Sequence, residues 1–218
     1  MVYSPKQGSG NKFQQYLLTV LKLSVIGSMG LSVYYHLWGA FFYSILSLGL
    51  MFLPSLLKSR AKINLPIEFD VVLAIFMYAS VFLGKVGQAY ERFWWWDGVL
   101  HTSAGFIVAF IGFLVLYINI QRGKIQANRL LVGVTIFCFA LALGALWEIF
   151  EFGLDTLLNG DLQRGSLQDT MWDLIVDSIG ALVMARVGIG QIFDNQKGII
   201  HRLTIKFIKE NPKLGDVK

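Results

Sequence analysis

Long apolar runs, interrupted at wide intervals by short basic stretches, dominate the pattern of this chain. A helix that crosses a bilayer needs roughly 20 mostly apolar residues. Six such runs can be laid out, at about 14–35, 37–57, 66–88, 98–118, 129–152 and 170–190. Their length and their Leu, Phe and Ala content predict helices, since a barrel would show short alternating segments. The expected fold is all-α, a polytopic membrane bundle of about six transmembrane helices. One helical domain over 1–190 is followed by a basic tail over 191–218. Lys6 and Lys12 precede the first run as in a signal peptide. The apolar character nevertheless continues to Leu57, contains Lys22 and is followed by no A-x-A site, so the segment is read as an uncleaved first span.

Composition agrees with this pattern. Of 218 residues, 55% are hydrophobic and 15% charged, whereas a soluble domain carries about a quarter charged residues. Disorder is excluded on the same grounds. A net charge of +5 would suit nucleic acid only if the bases shared a solvated face. They do not, so membrane lipid is the expected partner and nucleic acid is not. The one cysteine, Cys138, lies in an apolar run and allows no intrachain disulfide.

The bases are distributed with a strong bias. Lys58, Arg60 and Lys62 share one connection, Arg122, Lys124 and Arg129 another, and Lys197, Arg202, Lys206, Lys209, Lys213 and Lys218 lie in the tail. Six alternating helices put all three groups on one side, which the positive-inside rule makes cytoplasmic together with both termini. A multi-pass protein of a bacterial inner membrane is expected. All six Trp (Trp38, Trp94, Trp95, Trp96, Trp147 and Trp172) then fall near outer helix ends, where indoles favour the headgroup layer. Residues 198–209 space Ile199, Ile200, Leu203 and Phe207 as one helical face, with Arg202, Lys206 and Lys209 opposite. This is either a helix on the inner leaflet or a short soluble tail helix. Glu68 and Asp70 lie at the inner boundary and are expected to be solvated.

Ionisable residues within spans are costly and usually functional, and here they are concentrated. The fourth helix opens with Asp97 and His101, the fifth closes with Glu148 and Glu151 with Asp155 a further turn on, and the sixth opens with Asp169, Asp173 and Asp177. At 3.6 residues per turn the fifth-helix acids share an arc of about 60°, and the sixth-helix acids form one stripe. Gly105, Gly144 and Gly180 continue these faces and permit close helix approach. Divided by topology, the net +5 becomes a six-charge excess of carboxylates outside and a larger excess of bases elsewhere. So many buried carboxylates require protonation, a bound cation or a hydrated cavity.

One His with several carboxylates suits a divalent metal, Zn, Mn or Fe, whereas carboxylates with water suit Mg. The expected ligands are His101, Glu148, Glu151, Asp173 and Asp177, with Asp97 orienting the imidazole. These six residues are the candidate catalytic set, since a metal can supply a hydrolytic nucleophile. Arg164, Asp155, Lys85 and Gln88 are candidate substrate contacts, although Lys85 can equally snorkel. A structural seam pinning three helices would use the same residue types.

The runs Trp94-Trp95-Trp96-Asp97 leading to His101, Ala145 to Phe152 (ALWEIFEF) and Asp169 to Ala181 (DTMWDLIVDSIGA) resemble the YjdF-like family of bacterial inner-membrane proteins. The resemblance covers about residues 65–190. A more distant similarity is to VanZ-like proteins, linked to teicoplanin resistance. Asp97 with His101, Glu148, Arg164, and Asp173 with Gly180 match the VanZ-like pattern, whereas Glu151 stands where it has Gln and Asp177 where it has Asn. Both departures add negative charge, favouring a cation or proton role. Neither resemblance implies an established reaction. Three functions stay open: a metal-dependent hydrolase or transferase on a lipid or lipid-linked envelope substrate, a cation- or proton-coupled transporter, and a non-catalytic envelope factor that binds lipid or confers resistance.

Overall fold

The computed structural model describes residues 12–158, 163 and 167–215, and among them there are helices and no strands. Among the described residues five helices are long and apolar enough to cross a membrane, and a bent pair makes a sixth span if its halves are counted together. Large apolar side chains cover their exteriors, among them Ile111, Leu131, Leu146, Phe150, Ile179 and Leu182. Such a surface suits hydrocarbon rather than water as the solvent. The protein is an all-α polytopic membrane bundle. Its chain divides into two compact units, residues 1–96 with 205–212, and residues 97–204 with 213–218.

The first unit holds α1 (Lys12–Tyr34), α2 (Trp38–Met51), α3 (Leu53–Ala61) and α4 (Ile67–Met77). Val25, Met51 and Ala74 form its buried centre, packed by Leu18, Leu21, Leu48, Met77, Tyr78 and Phe82. Ser28 and Ser44 meet at 3.2 Å between α1 and α2, and Ser47 donates to the Met77 carbonyl at 3.4 Å. Small hydroxyl residues thus stitch these helices where a larger side chain would hold them apart. His36, with φ +55, turns the chain between α1 and α2.

Two of the expected helices differ in form. The span expected over 37–57 breaks at Phe52 and bends by 42° into α3. Pro54 lacks the N–H that would bond the Leu50 carbonyl, and its ring disfavours helical geometry just before it. The helix expected over 66–88 is α-helical only to Met77 and continues as a π-helix over Tyr78–Val86. Gly87 N–H closes it on the Phe82 carbonyl five residues back at 2.9 Å. Gly84 lies flush on the Tyr90 ring, where a Cβ would collide, and Gln88 turns the chain at φ +57 into the short α5 (Ala89–Arg92).

The tail helix α9 (Ile199–Glu210) spans the stretch read as amphipathic. Its C-terminal part belongs to the first unit, where Asn211 is buried and clasps Asn64. Asn211 Oδ1 accepts the Asn64 N–H at 2.8 Å, and Nδ2 donates to the Asn64 carbonyl at 2.6 Å. Glu68 is not simply solvated, because Lys206 Nζ bonds both its oxygens at 2.7 Å. Asp70 Oδ1 is likewise buried, without a hydrogen-bond partner. A short α10 (Pro212–Gly215) closes the described chain.

The second unit is built on α6 (Trp96–Gln121), α7 (Arg129–Leu158) and α8 (Leu167–Phe193). α6 and α8 run a few residues beyond both expected ends and α7 beyond its C-terminal end, which brings Asp97 into the first turn of α6 and Asp155 inside α7. Gly123, at φ +66, terminates α6 and lets Lys124 N–H return to the Asn119 carbonyl at 3.0 Å. Asn128 caps α7 by accepting the Leu131 N–H at 2.8 Å. Contacts of Gly144 with Asp177, Gly133 with Ile189 and Ile136 with Gly188 keep an antiparallel register between α7 and α8. Arg129 and Asp194 close that pair at its far end with a two-pronged ion pair.

Candidate functional site

Two glycines bring α6 and α8 together. A Cβ on Gly105 would run into the backbone of Asp177, and one on Gly180 into the Thr102 carbonyl and Phe106 N. The two helices are parallel, since Asp97 pairs with Asp173, His101 with Asp177 and Phe113 with Gly188. With the backbones touching, even the short Asp side chains of α8 reach the imidazole on α6.

His101 lies between carboxylates on both of its ring nitrogens. Nε2 is 3.8 Å from Asp97 Oδ1 and 3.8 Å from Asp173 Oδ2. Nδ1 is 3.4 Å from Asp177 Oδ1. The arrangement follows from helix geometry. Side chains lean toward the N-terminus of their helix, so the distal Nε2 reaches the turn of Asp97 and Asp173 while the proximal Nδ1 stays level with Asp177. Asp97, His101 and Asp173 each offer a ligand atom, all within 4.8 Å of one another, and this group can hold a metal ion. Two ligands about 2.1 Å from one ion stand roughly 3.0–3.4 Å apart in octahedral or tetrahedral geometry. The 3.8 Å spacings exceed a direct hydrogen bond and lie slightly above the span across an ion, so the side chains would draw in by a few tenths of an ångström to share one.

The expected ligand set and this geometry differ in two respects. Asp97, expected to orient the ring, shares the Nε2 side with Asp173, and Asp177, expected as a ligand, faces Nδ1 instead. Glu148 and Glu151 of α7 lie outside the three-residue group. α7 approaches the site at Gly144, where an added Cβ would be 2.6 Å from Asp177 Oδ2. Glu148 sits one turn beyond Gly144 on the same face of α7. Its carboxylate is drawn toward the connecting segment, where Gln163 Nε2 lies 3.5 Å from Oε2, 3.2 Å from the Glu148 carbonyl and 2.9 Å from Thr170 Oγ1. Asp155 accepts the Gln163 backbone N–H at 2.9 Å. Glu151 and Asp169 are half-buried on α7 and α8.

The burial is severe. Glu148, Asp173 and Asp177 are each 4% exposed, and Glu148 Oε1, Asp177 Oδ1 and His101 Nδ1 have no well-formed hydrogen bond. Buried polar groups in folded proteins are normally satisfied, so three such atoms in one cluster mark it as unlike a structural seam.

Among the other candidates, Lys85 and Gln88 belong to the first unit, where Lys85 Nζ lies 5.1 Å above the Tyr90 ring. Arg164 lies outside the described residues. Trp94 is 86% exposed, and Trp38, Trp95, Trp147 and Trp172 are exposed to lesser degrees. Sequence reasoning missed Gln163 and Thr170. Neither is ionisable and neither extends a helical stripe, so the pattern that revealed the acids carries no sign of them.

A family model described as a predicted membrane protein (DUF2238) matches residues 13–192, a span that holds every residue of the cluster. An uncharacterized protein of Thermotoga maritima is 27% identical over 138 residues, 62% of this chain and 69% of its own length. No solved structure matches.

Proposed function

The chain belongs to the DUF2238 family of predicted membrane proteins, and from that premise we propose that it is a metal-dependent hydrolase or transferase acting on a lipid or lipid-linked envelope substrate. One observation carries this reading: an imidazole and two carboxylates from α6 and α8 offer ligand atoms within 4.8 Å of one another at the end of two apolar spans. His101 Nε2, Asp97 and Asp173 would hold the ion, and one His with two carboxylates suits Zn or Mn. Such an ion supplies Lewis-acid polarisation and an acidified water.

The charge bias of the connections supports putting this end of the spans at the outer face of a bacterial inner membrane. A headgroup sits at that depth, and the exposed Trp147 and Trp172 lie at the same helix ends. Glu148, beside the group but outside it, is the candidate for moving a proton. Metal analysis of protein purified without chelator tests the proposal. We expect close to one equivalent of Zn or Mn in the wild type, lost in Asp173→Asn and His101→Gln with helicity unchanged. A metal-free wild type that takes up none on titration would overturn it.

A second reading rests on Glu148 Oε1 and Asp177 Oδ1, buried and lacking a well-formed hydrogen bond. Carboxylates of this kind also serve as proton or cation relays. Proton flux in proteoliposomes that is lost in Glu148→Gln but retained in Asp97→Asn would favour the transporter.

A further inference from the structure

We propose that Asp177 is a positioning residue: it holds a proton on Nδ1 of His101 and so dedicates Nε2 to the ion. The ligand half of this assignment rests on the metal reading above, and the proton half does not. A neutral imidazole has one N–H and one lone pair, and the partner of one nitrogen decides which is which. Here the two nitrogens face different environments. Nδ1 has one acceptor opposite it, Asp177 Oδ1 at 3.4 Å, and both atoms are buried without another partner. Nε2 faces the gap between Asp97 and Asp173, whose oxygens both stand 3.8 Å away, beyond direct hydrogen bonding and farther than Asp177 Oδ1 stands from Nδ1. Ligating histidines commonly donate their other N–H to a carboxylate, which fixes the ring and raises its basicity.

The fold restrains Asp177 on three sides. Its backbone is pressed against Gly105, its Oδ2 lies against Gly144, and Gly180, one turn on, keeps α8 in contact with α6. A carboxylate at 4% exposure in this packing has little freedom to swing toward Nε2. Gly144 therefore provides an independent handle. A methyl there would meet Oδ2 at 2.6 Å and displace the carboxylate without removing it.

The test is nitrogen NMR of histidine-labelled, full-length protein in nanodiscs, with His101 distinguished from His36 and His201 by a His101→Gln control. Spectra are recorded with chelator at a pH where the ring is neutral, and again with Zn2+. We expect the wild type to carry its proton on Nδ1 in both states and to bind Zn2+ through Nε2. In Asp177→Leu the proton should redistribute between the nitrogens and Zn2+ affinity should fall by about 10–100-fold. Asp177→Asn, which keeps an acceptor oxygen, should retain the wild-type proton position and lose less affinity than Asp177→Leu, a rescue that a purely space-filling role would not require. Gly144→Ala should move in the same direction as Asp177→Leu, and it decides the matter should the leucine variant fail to fold.

Zn2+ ligation through Nδ1 in the wild type overturns the inference and leaves the metal reading standing. Wild-type proton position and affinity in both Asp177→Leu and Gly144→Ala overturn it as well. If the wild type binds no Zn2+, the metal reading fails by itself. The chelated spectra then decide the proton half: a shift in Asp177→Leu supports it, and an unchanged spectrum overturns it.

Discussion

Both units bury polar side chains between helices, but they use different chemistry. In the first unit the seam is made of serines. Ser28 faces Ser44, and Ser47 faces a carbonyl, all neutral and each with a partner. In the second unit the seam is made of His101, Asp173, Asp177 and Glu148, all ionisable; the three carboxylates are buried, and His101, Asp177 and Glu148 each keep a buried polar atom without a hydrogen bond. Hydroxyls at a helix contact cost little and hold helices together. Carboxylates in the same place are costly unless something outside the protein completes them. The contrast separates a seam whose hydrogen bonds are met within the fold from one whose bonds are left incomplete.

The strongest challenge to that contrast is to the contact that assembles the second seam. Gly180→Val should abolish folded protein or leave it severely destabilised. The added atoms meet the backbone of α6 rather than the tip of a flexible side chain, and overpacking even against movable neighbours costs about 1–3 kcal/mol. Recovery from detergent extracts and the midpoint of thermal unfolding measure it. Asp173→Asn should do the opposite: metal is lost while the helices persist, and the unfolding midpoint without metal is equal to or above that of the wild type, because a costly buried charge has been removed. A large loss of stability in the metal-free Asp173→Asn protein would mean that the acid seam is structural, like the serine seam.

Much of this was legible in the sequence because membranes simplify the problem. Apolar runs of span length mark the helices, and α6, α7 and α8 extend the expected segments by only a few residues. Charges are so unfavourable inside a span that Asp97, His101, Glu148, Asp173 and Asp177 stood out by position alone. What periodicity could not convey was distance between helices. It put the α7 acids on one face, but the gap at that face depends on which helices touch backbone to backbone. Gly105 and Gly180 draw α6 onto α8, while at Gly144 the α7 face meets the Asp177 carboxylate. Asp97 faces Nε2 and Asp177 faces Nδ1 for a related reason, since the lean of the His101 ring along its helix matters as much as the spacing of residues. Pro54 was visible, yet the π-helical stretch at Tyr78–Val86, with Gly84 set against the Tyr90 ring, leaves no periodic trace.

Smaller effects sharpen the comparison from the other side. Ser28→Ala should cost about 0.6 kcal/mol, the usual worth of a hydrogen bond between membrane helices. In a double-mutant cycle with Ser44→Ala the second change should then add almost nothing, because one shared bond has already been lost. Strict additivity in chemical denaturation would show that the pair at 3.2 Å is not an energetic contact.

The smallest effect is expected at the exposed pair that closes α7 on α8, Arg129 with Asp194. Its oxygens lie 2.5 and 3.1 Å from the guanidinium, but the pair is solvated, and solvent and salt screen it. The guanidinium holds the Asp194 carboxyl below its usual range. A carboxylate depressed in the folded state contributes stability above its unfolded pKa, and that contribution is lost as pH falls through the lower folded value. Arg129→Gln should therefore lower the unfolding midpoint slightly at neutral pH and by progressively less below about pH 4, where Asp194 takes up its proton in the unfolded chain. The difference should also shrink in high salt. If it persists unchanged at acid pH, the loss of Arg129 is felt through its packing on Phe193, 5.3 Å from the guanidinium carbon, rather than through its charge.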